Sequence, residues 1–249
     1  MNMESLENKL ALVTGAAGVL GHAVAQAFAA DGLRVIMADI DAARLETFAT
    51  EIGDRAIPLT LDVGSAEAIA EAMAGVRAEH GDVDVLVNNA GILSNNKAAE
   101  TSPEEWRRLM NINLDGAFYM ARECLPAMKT KGWGRIVNIC SLAAKTGGLT
   151  AGTAYTTSKG GMTALTFSLA RESAGDGVTV NGISPAYIRT PMVTEQLTEA
   201  QRQKLLADIP VHRFCEAEEV AHVVRFLVSP LSGFITGEII DINGGLHLD

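Results

Sequence analysis

Tyr155 and Lys159 stand four residues apart in Ala154-Tyr155-Thr156-Thr157-Ser158-Lys159-Gly160. On a helix that spacing puts both side chains on one face. A free phenol ionises at about pH 10, so using it as a base near neutrality takes roughly 4 kcal/mol of preferential stabilisation of the phenolate. A neighbouring ammonium acts with the right sign, so the pair is suited to passing a proton to or from an oxygen. Ser141, closing Asn138-Ile139-Cys140-Ser141, can hold that oxygen. Asn113, in Asn111-Ile112-Asn113-Leu114-Asp115-Gly116, can organise water between the lysine and solvent. Singly, each has a plainer explanation: Tyr-x-x-x-Lys arises by chance, a serine at a strand end caps, and an asparagine on a helix is solvated. Their joint order along the chain is what points to chemistry.

A second constellation lies upstream. The apolar run Leu10–Thr14 leads into Thr14-Gly15-Ala16-Ala17-Gly18-Val19-Leu20-Gly21 and then an alanine-rich stretch. A glycine-rich turn between strand and helix brings backbone N–H groups and a helix N-terminus up to a pyrophosphate. Alone it also reads as a tight turn packed on a sheet. The next apolar run ends at Asp39, about twenty residues on, where a carboxylate accepts from both ribose hydroxyls of an adenosine and repels a 2′-phosphate. This favours NAD over NADP. Asp41 is a rival for that contact, and either acid can instead belong to a solvated loop. Asp62 and Asn88-Asn89-Ala90-Gly91 also fall at the ends of apolar runs, where ligands bind in open parallel sheets; for the two asparagines the alternative is turn formation. With a dinucleotide at one end and a proton-transferring pair at the other, the expected reaction is hydride transfer.

These residues need a scaffold. Apolar runs Leu10–Thr14, Val35–Asp39, Ile57–Leu61, Val83–Asn88, Arg135–Cys140 and Val178–Ile183 alternate with stretches of helical length, punctuated by Gly32 and Gly81. Runs that are continuously apolar predict strands buried on both faces, hence a parallel sheet covered by helices. Ser102-Pro103-Glu104-Glu105 predicts a helix start with an N-cap, a proline at the first helical position and a glutamate set for a capping box. No linker, charge block or repeat divides residues 1–249, which predicts a single domain. The segment from Pro185 to about Phe214 breaks the strand-helix rhythm and reads as a substrate loop.

Composition narrows the partners. A formal net charge of -10 argues against nucleic acid and anionic membranes, which need a basic footprint. No apolar run reaches the roughly 18 residues of a membrane span, and the first residues lack the pattern of a secretory signal. The three cysteines, Cys124, Cys140 and Cys215, show neither a paired framework nor zinc spacing. They are expected as packed, reduced thiols of a cytoplasmic protein that holds no metal.

The ordered motifs together resemble the short-chain dehydrogenase/reductase family, in its compact branch of about 250 residues. They are Thr14-Gly15 through Gly21, Asn88 to Gly91, Asn113, Ser141, Tyr155 with Lys159, and Asn181 to Pro185, and they span essentially the whole chain. The resemblance implies an α/β fold with a Rossmann-like doubly wound parallel sheet in three α/β/α layers. It implies an Asn-Ser-Tyr-Lys site at Asn113, Ser141, Tyr155 and Lys159, and a homotetramer assembled through the helices that carry Asn113 and Tyr155. For the cofactor it implies contacts from Gly15, Ala17, Gly18, Val19, Leu20 and Gly21, from Asp39 and Ile40, and from Asp62, with Val63 flanking the adenine. Asn89, Ala90, Gly91, Tyr155, Lys159 and Pro185 would follow, with Ile188 and Thr190 on the nicotinamide carboxamide. Three positions depart from the family pattern. Val19 stands where the middle glycine is usual, Ala186 where a glycine follows Pro185, and the Ser141–Tyr155 connection, containing Lys145, is a residue longer.

The small-molecule substrate is the least determined part. Ser94, Asn95, Ala143, Lys145 and Tyr187, with Asn96 nearby, are expected to border its pocket, and Lys97, Lys145 and Arg189 offer charge for a hydroxylated or acidic compound. The leading expectation is an NAD-dependent oxidoreductase acting on a secondary alcohol, polyol, sugar or hydroxy acid. A 3-oxoacyl-carrier-protein reductase is the alternative within enzymes; Asp39 and the lack of a basic patch weigh against it. A catalytically idle nucleotide sensor or scaffold and a methyltransferase leave the Tyr-Lys pair without a purpose.

Overall fold

The computed structural model describes residues 5–190 and 198–248, without the side chain of Gln201. Among the described residues, β1 (Leu10–Thr14), β2 (Arg34–Asp39), β3 (Ala56–Thr60), β4 (Val85–Asn88), β5 (Gly134–Ile139), β6 (Val178–Pro185) and β7 (Ile239–Ile242) form one sheet. Its order is β3-β2-β1-β4-β5-β6-β7, and every neighbouring pair is parallel. Six strands lie within two residues of the expected runs. The seventh, β7, was not anticipated: it is a half-buried edge strand of four residues, too short for a long apolar run.

Both faces of the central strands are apolar, which requires cover on both sides. Ala11 and Val13 of β1 join one core with Val35, Val85, Val137 and Ile183, packed under α1 (Val19–Ala30), α2 (Ala42–Ile52) and a late helix over Ala217–Val228. Leu10 and Leu12 point to the other face, into a core with Ile36, Leu86, Ile136 and Val180. That face is covered by α3 (Ala66–His80), α5 (Gly116–Lys131) and α7 (Thr153–Ser173). The result is the three-layer, Rossmann-like doubly wound architecture.

α4 (Pro103–Met110) starts at the expected Ser102 cap, whose Oγ accepts from the Glu105 N–H at 3.1 Å. It runs into α5 through a π-helical turn over Asn111–Asp115. α6 (Ala143–Thr146) follows β5, α8 (Glu199–Asp208) lies within the expected substrate loop, and α9 is the Ala217–Val228 helix. Ile188 pairs with Cys215 as an isolated parallel bridge. Residues 191–197 of that loop lie outside the described residues.

Candidate active site

The strand order reverses between β1 and β4, and at the carboxyl ends of these strands a cleft of about 500 Å³ opens, the usual ligand position in a doubly wound sheet. β1 ends in buried Thr14, whose Oγ1 accepts from the N–H groups of Asn89 and Ala90, both at 3.0 Å. Asn89 returns its amide to the carbonyls of Thr14 and Gly15 at 2.9 and 3.1 Å. Asn89 thus does more than turn the chain, because it locks the ends of β1 and β4 together. Gly15 takes the left-handed backbone at φ 67°. Gly18 is the N-cap of α1, without a side-chain cap, and the first turn carries no acid, so its leading N–H groups suit an anion. Val19 begins the helix in ordinary helical geometry, and its departure from the family glycine demands no positive φ.

Asp39 lines the cleft, with its carboxylate accepting from the N–H groups of Ala17 at 3.0 Å and Asp41 at 3.1 Å. Each oxygen keeps a lone pair for a hydroxyl. Asp41 instead caps α2, accepting from the Arg44 N–H at 3.1 Å, and does not border the cleft. Gly15, Gly18, Val19, Leu20, Gly21 and Ile40 line this end, with Asp62 and Val63 across from them. Ala17 does not, since its N–H is turned to Asp39. Arg44 and Arg108 also line it; sequence reasoning missed both, for neither sits in a recognisable motif.

Asn89, Ala90 and Gly91 carry the lining to the other end, where Ser141, Tyr155, Lys159, Pro185, Ile188 and Thr190 meet. Lys159 is 4% exposed, and its Nζ donates to the Ile139 carbonyl at 2.7 Å. Burial pulls its pKa down to about 8. Tyr155 departs from expectation. Burial raises its pKa, a hydrogen bond with Ser141 opposes this, and the ammonium expected to lower it lies 5.9 Å from the ring centroid, turned to Ile139. Asn113 is fully buried and does not line the cleft. The π turn sets its amide against the β4 loop, accepting from the Ile92 N–H at 2.8 Å and donating to the Ile92 carbonyl at 3.0 Å and to Ser158 Oγ at 3.0 Å. Ser158, also missed, donates in turn to the Tyr155 carbonyl at 2.7 Å and so ties the asparagine to the tyrosine's helix. Behind them, buried Asn88, Asn138 and Thr166 link β4, β5 and α7 at 2.9 Å per bond.

None of the five expected substrate residues lines this cleft, and most are engaged elsewhere. Ser94 Oγ donates to Glu105, and Asn95 is exposed. Ala143 starts α6, with its N–H on Ser141 Oγ at 3.2 Å. Lys145 reaches Asp241 at 2.5 Å. Tyr187 OH is 3.2 Å from Thr150 Oγ1. Arg189 pairs with Glu216 at 2.8 Å, and the Lys97 ammonium contacts backbone carbonyls. The basic groups considered for an acidic substrate are thus committed within the protein. Glu105 likewise departs from a plain capping box, because its carboxylate is given chiefly to Ser94 and Asn96, which hold its pKa below the usual carboxylate value.

Residues 15–247 match the family profile described as Enoyl-(Acyl carrier protein) reductase. A 3-oxoacyl-[acyl-carrier-protein] reductase of Haemophilus influenzae is 37% identical over 98% of this chain and 100% of its own. That of Thermotoga maritima is 38% identical over 97% and 98%. Among solved structures, a short-chain dehydrogenase/reductase titled glucose/ribitol dehydrogenase, from Brucella melitensis, superposes with a TM-score of 0.91 at 36% identity, covering 100% of both chains. The chain belongs to the short-chain dehydrogenase/reductase family. As a member it is an oxidoreductase of the class that uses a nicotinamide cofactor. Among the described residues, no helix is long and apolar enough to cross a membrane.

Proposed function

We propose that this short-chain dehydrogenase/reductase reduces the ketone of a 3-oxoacyl thioester to a secondary alcohol, with NADH as the preferred cofactor and the whole chain acting as one catalytic domain. The observation that carries the reaction class is the placement of Ser141, Tyr155 and Lys159 at one end of the cleft whose other end holds Asp39. The substrate class is supported by the 3-oxoacyl reductase relatives that run the length of the chain. It displaces the polyol, sugar or hydroxy-acid substrate that the sequence favoured.

When bound, a nicotinamide dinucleotide would supply the hydride, and the uncapped N–H groups at the start of α1 would hold its pyrophosphate. Asp39 accepts from the adenosine ribose hydroxyls and excludes a 2′-phosphate, which is the basis of the NAD preference. Ser141 donates a hydrogen bond to the ketone oxygen. Tyr155, held protonated by burial, delivers its proton to that oxygen as the alkoxide forms. Lys159, its ammonium turned to Ile139, would hold the nicotinamide ribose, while Asn113 and Ser158 fix the helix that carries both. The enzyme is further proposed to work in the cytoplasm as a homotetramer.

A second reading, NAD-dependent oxidation of a polyol or sugar, draws on Asp39 and on the glucose/ribitol dehydrogenase superposition. Initial rates separate the two, followed by nicotinamide absorbance with acetoacetyl-coenzyme A plus NADH or NADPH, and with polyols, sugars and hydroxy acids plus NAD or NADP. Thioester turnover supports the proposal, and turnover of polyols or sugars alone selects the second reading. Binding of NADH with no turnover of any compound overturns both in favour of an idle sensor.

A further inference from the structure

α7 carries Tyr155 on its first turn, yet its N-cap, Gly152, has no side chain to satisfy the leading N–H groups. The approach to it is equally underdetermined locally. Between α6 and α7 the chain runs from Gly147 to Gly152 without regular structure, with Gly147 and Gly148 both at positive φ, and glycines concede the most conformational freedom on ordering. What fixes this segment comes from elsewhere in the chain.

Residues 94–97, in the loop that leaves β4, lie alongside it. The Gly152 N–H donates to the Ser94 carbonyl at 2.8 Å, and the Thr153 N–H to the Asn96 carbonyl at 3.1 Å. A Cβ on Gly152 would fall 2.3 Å from that Asn96 oxygen, so the strip and the helix start approach as closely as only glycine allows. The strip is anchored on its far side by Glu105 of α4, which accepts from Ser94 Oγ and from Asn96 Nδ2. It is anchored to the glycine segment by Lys97, whose Nζ donates to the carbonyls of Ala151 at 2.7 Å and Gly148 at 3.3 Å. An ammonium on two carbonyls makes charge-assisted bonds, stronger than neutral ones. The same segment contacts Tyr187 through Thr150.

We propose that Lys97 is a positioning residue: its ammonium staples the 148–151 segment to the 94–97 strip, which serves as the missing cap of the tyrosine helix. This rests on the reading of Tyr155 as the proton donor. A lysine in a surface loop is ordinarily a solvated charge, but here two carbonyls of one irregular segment share it.

The test is Lys97→Met in the full-length protein, with two independent readouts. Hydrogen-deuterium exchange, needing no substrate, is expected to speed up at residues 146–154 and remain unchanged over β1 and α1. Turnover of the substrate identified above is expected to show kcat lowered about tenfold or more, as displacements on the order of 1 Å can produce, and a raised KM. The NADH dissociation constant is expected to stay within about twofold of the wild type, because uniform and site-specific losses separate in this way. Unchanged exchange at 146–154 overturns the staple whatever the rates do. Faster exchange with unaltered kcat and KM overturns the positioning role, as does an equal loss of NADH affinity or a general rise in exchange across the sheet. A wild-type enzyme silent toward every compound refutes the functional reading and leaves the staple to be decided by exchange alone.

Discussion

Replacing Lys159 with methionine should make the protein more stable near neutral pH while abolishing turnover. The ammonium is buried, and its pKa falls from 10.5 to about 8 because burial disfavours the charged form. At about 1.4 kcal/mol per pH unit, the drop costs the native state roughly 3 kcal/mol while the group is charged. Below about pH 8 the proton is bound in both folded and unfolded chains and the cost is present in full. Between about 8 and 10.5 the native lysine sheds it while the unfolded chain keeps it, so the cost is relieved as pH rises, and above 10.5 none remains. Methionine fills a similar volume without charge but forfeits the 2.7 Å bond to the Ile139 carbonyl, a loss of about 1 kcal/mol. The net gain is on the order of 2 kcal/mol, or about 4–8 °C in melting temperature for a chain of this size. Thermal melts of both proteins, followed by circular dichroism from pH 7 to pH 10.5, provide the check. Other groups titrate in both proteins, so the difference between the curves isolates this residue. A variant that melts at or below the wild type at pH 7, or an advantage that does not shrink toward pH 10.5, would refute the reasoning.

Tyr155→Phe should keep NADH binding, measured by fluorescence titration, and lose roughly 10²–10⁴ in kcat, the usual contribution of a positioned acid; substantial residual turnover would mean that another group supplies the proton. Asp39→Ala should narrow the ratio of kcat/KM for NADH over NADPH by about tenfold or more, the worth of one charged contact of about 1.4 kcal/mol. An unchanged ratio would move cofactor discrimination away from Asp39. Gly21→Ala should cost about 1–3 kcal/mol in denaturant melts and weaken NADH binding, because the added Cβ would lie 2.3 Å from the Gly15 carbonyl oxygen. The thiol of Cys124, raised by burial to about 12, and that of Cys140, raised in the same direction, should resist alkylation of the native protein at pH 8. Mass spectrometry should find both modified only after unfolding, and rapid native labelling would contradict their burial.

Much of the layout was legible because the signals were local. Val83–Asn88 and Val35–Asp39 read as strands from continuously apolar runs, and Ser102-Pro103 marked a helix start, each from a handful of neighbouring residues. β7 escaped because an edge strand with one open side needs no long apolar run. The π turn at Asn111–Asp115 has no compositional mark either, and it is what directs the Asn113 amide to Ile92 and Ser158.

The candidate site divides the same way. The residue types that can exchange a proton, Tyr155 with Lys159, and the acid that ends the second strand, Asp39, were set by sequence, since side-chain chemistry and spacing along one element suffice to nominate them. Which side chains are free to act was decided only by tertiary structure. Asp39 rather than Asp41 faces the cleft because Asp41 is spent capping α2. Lys145, Lys97 and Arg189 are unavailable as substrate contacts because Asp241, two backbone carbonyls and Glu216 hold them. Tyr155 is raised rather than lowered because its surroundings desolvate it while Lys159 is turned to Ile139. Chemical identity is a property of each residue, whereas its partners and solvation arise from segments distant in the chain that meet only on folding.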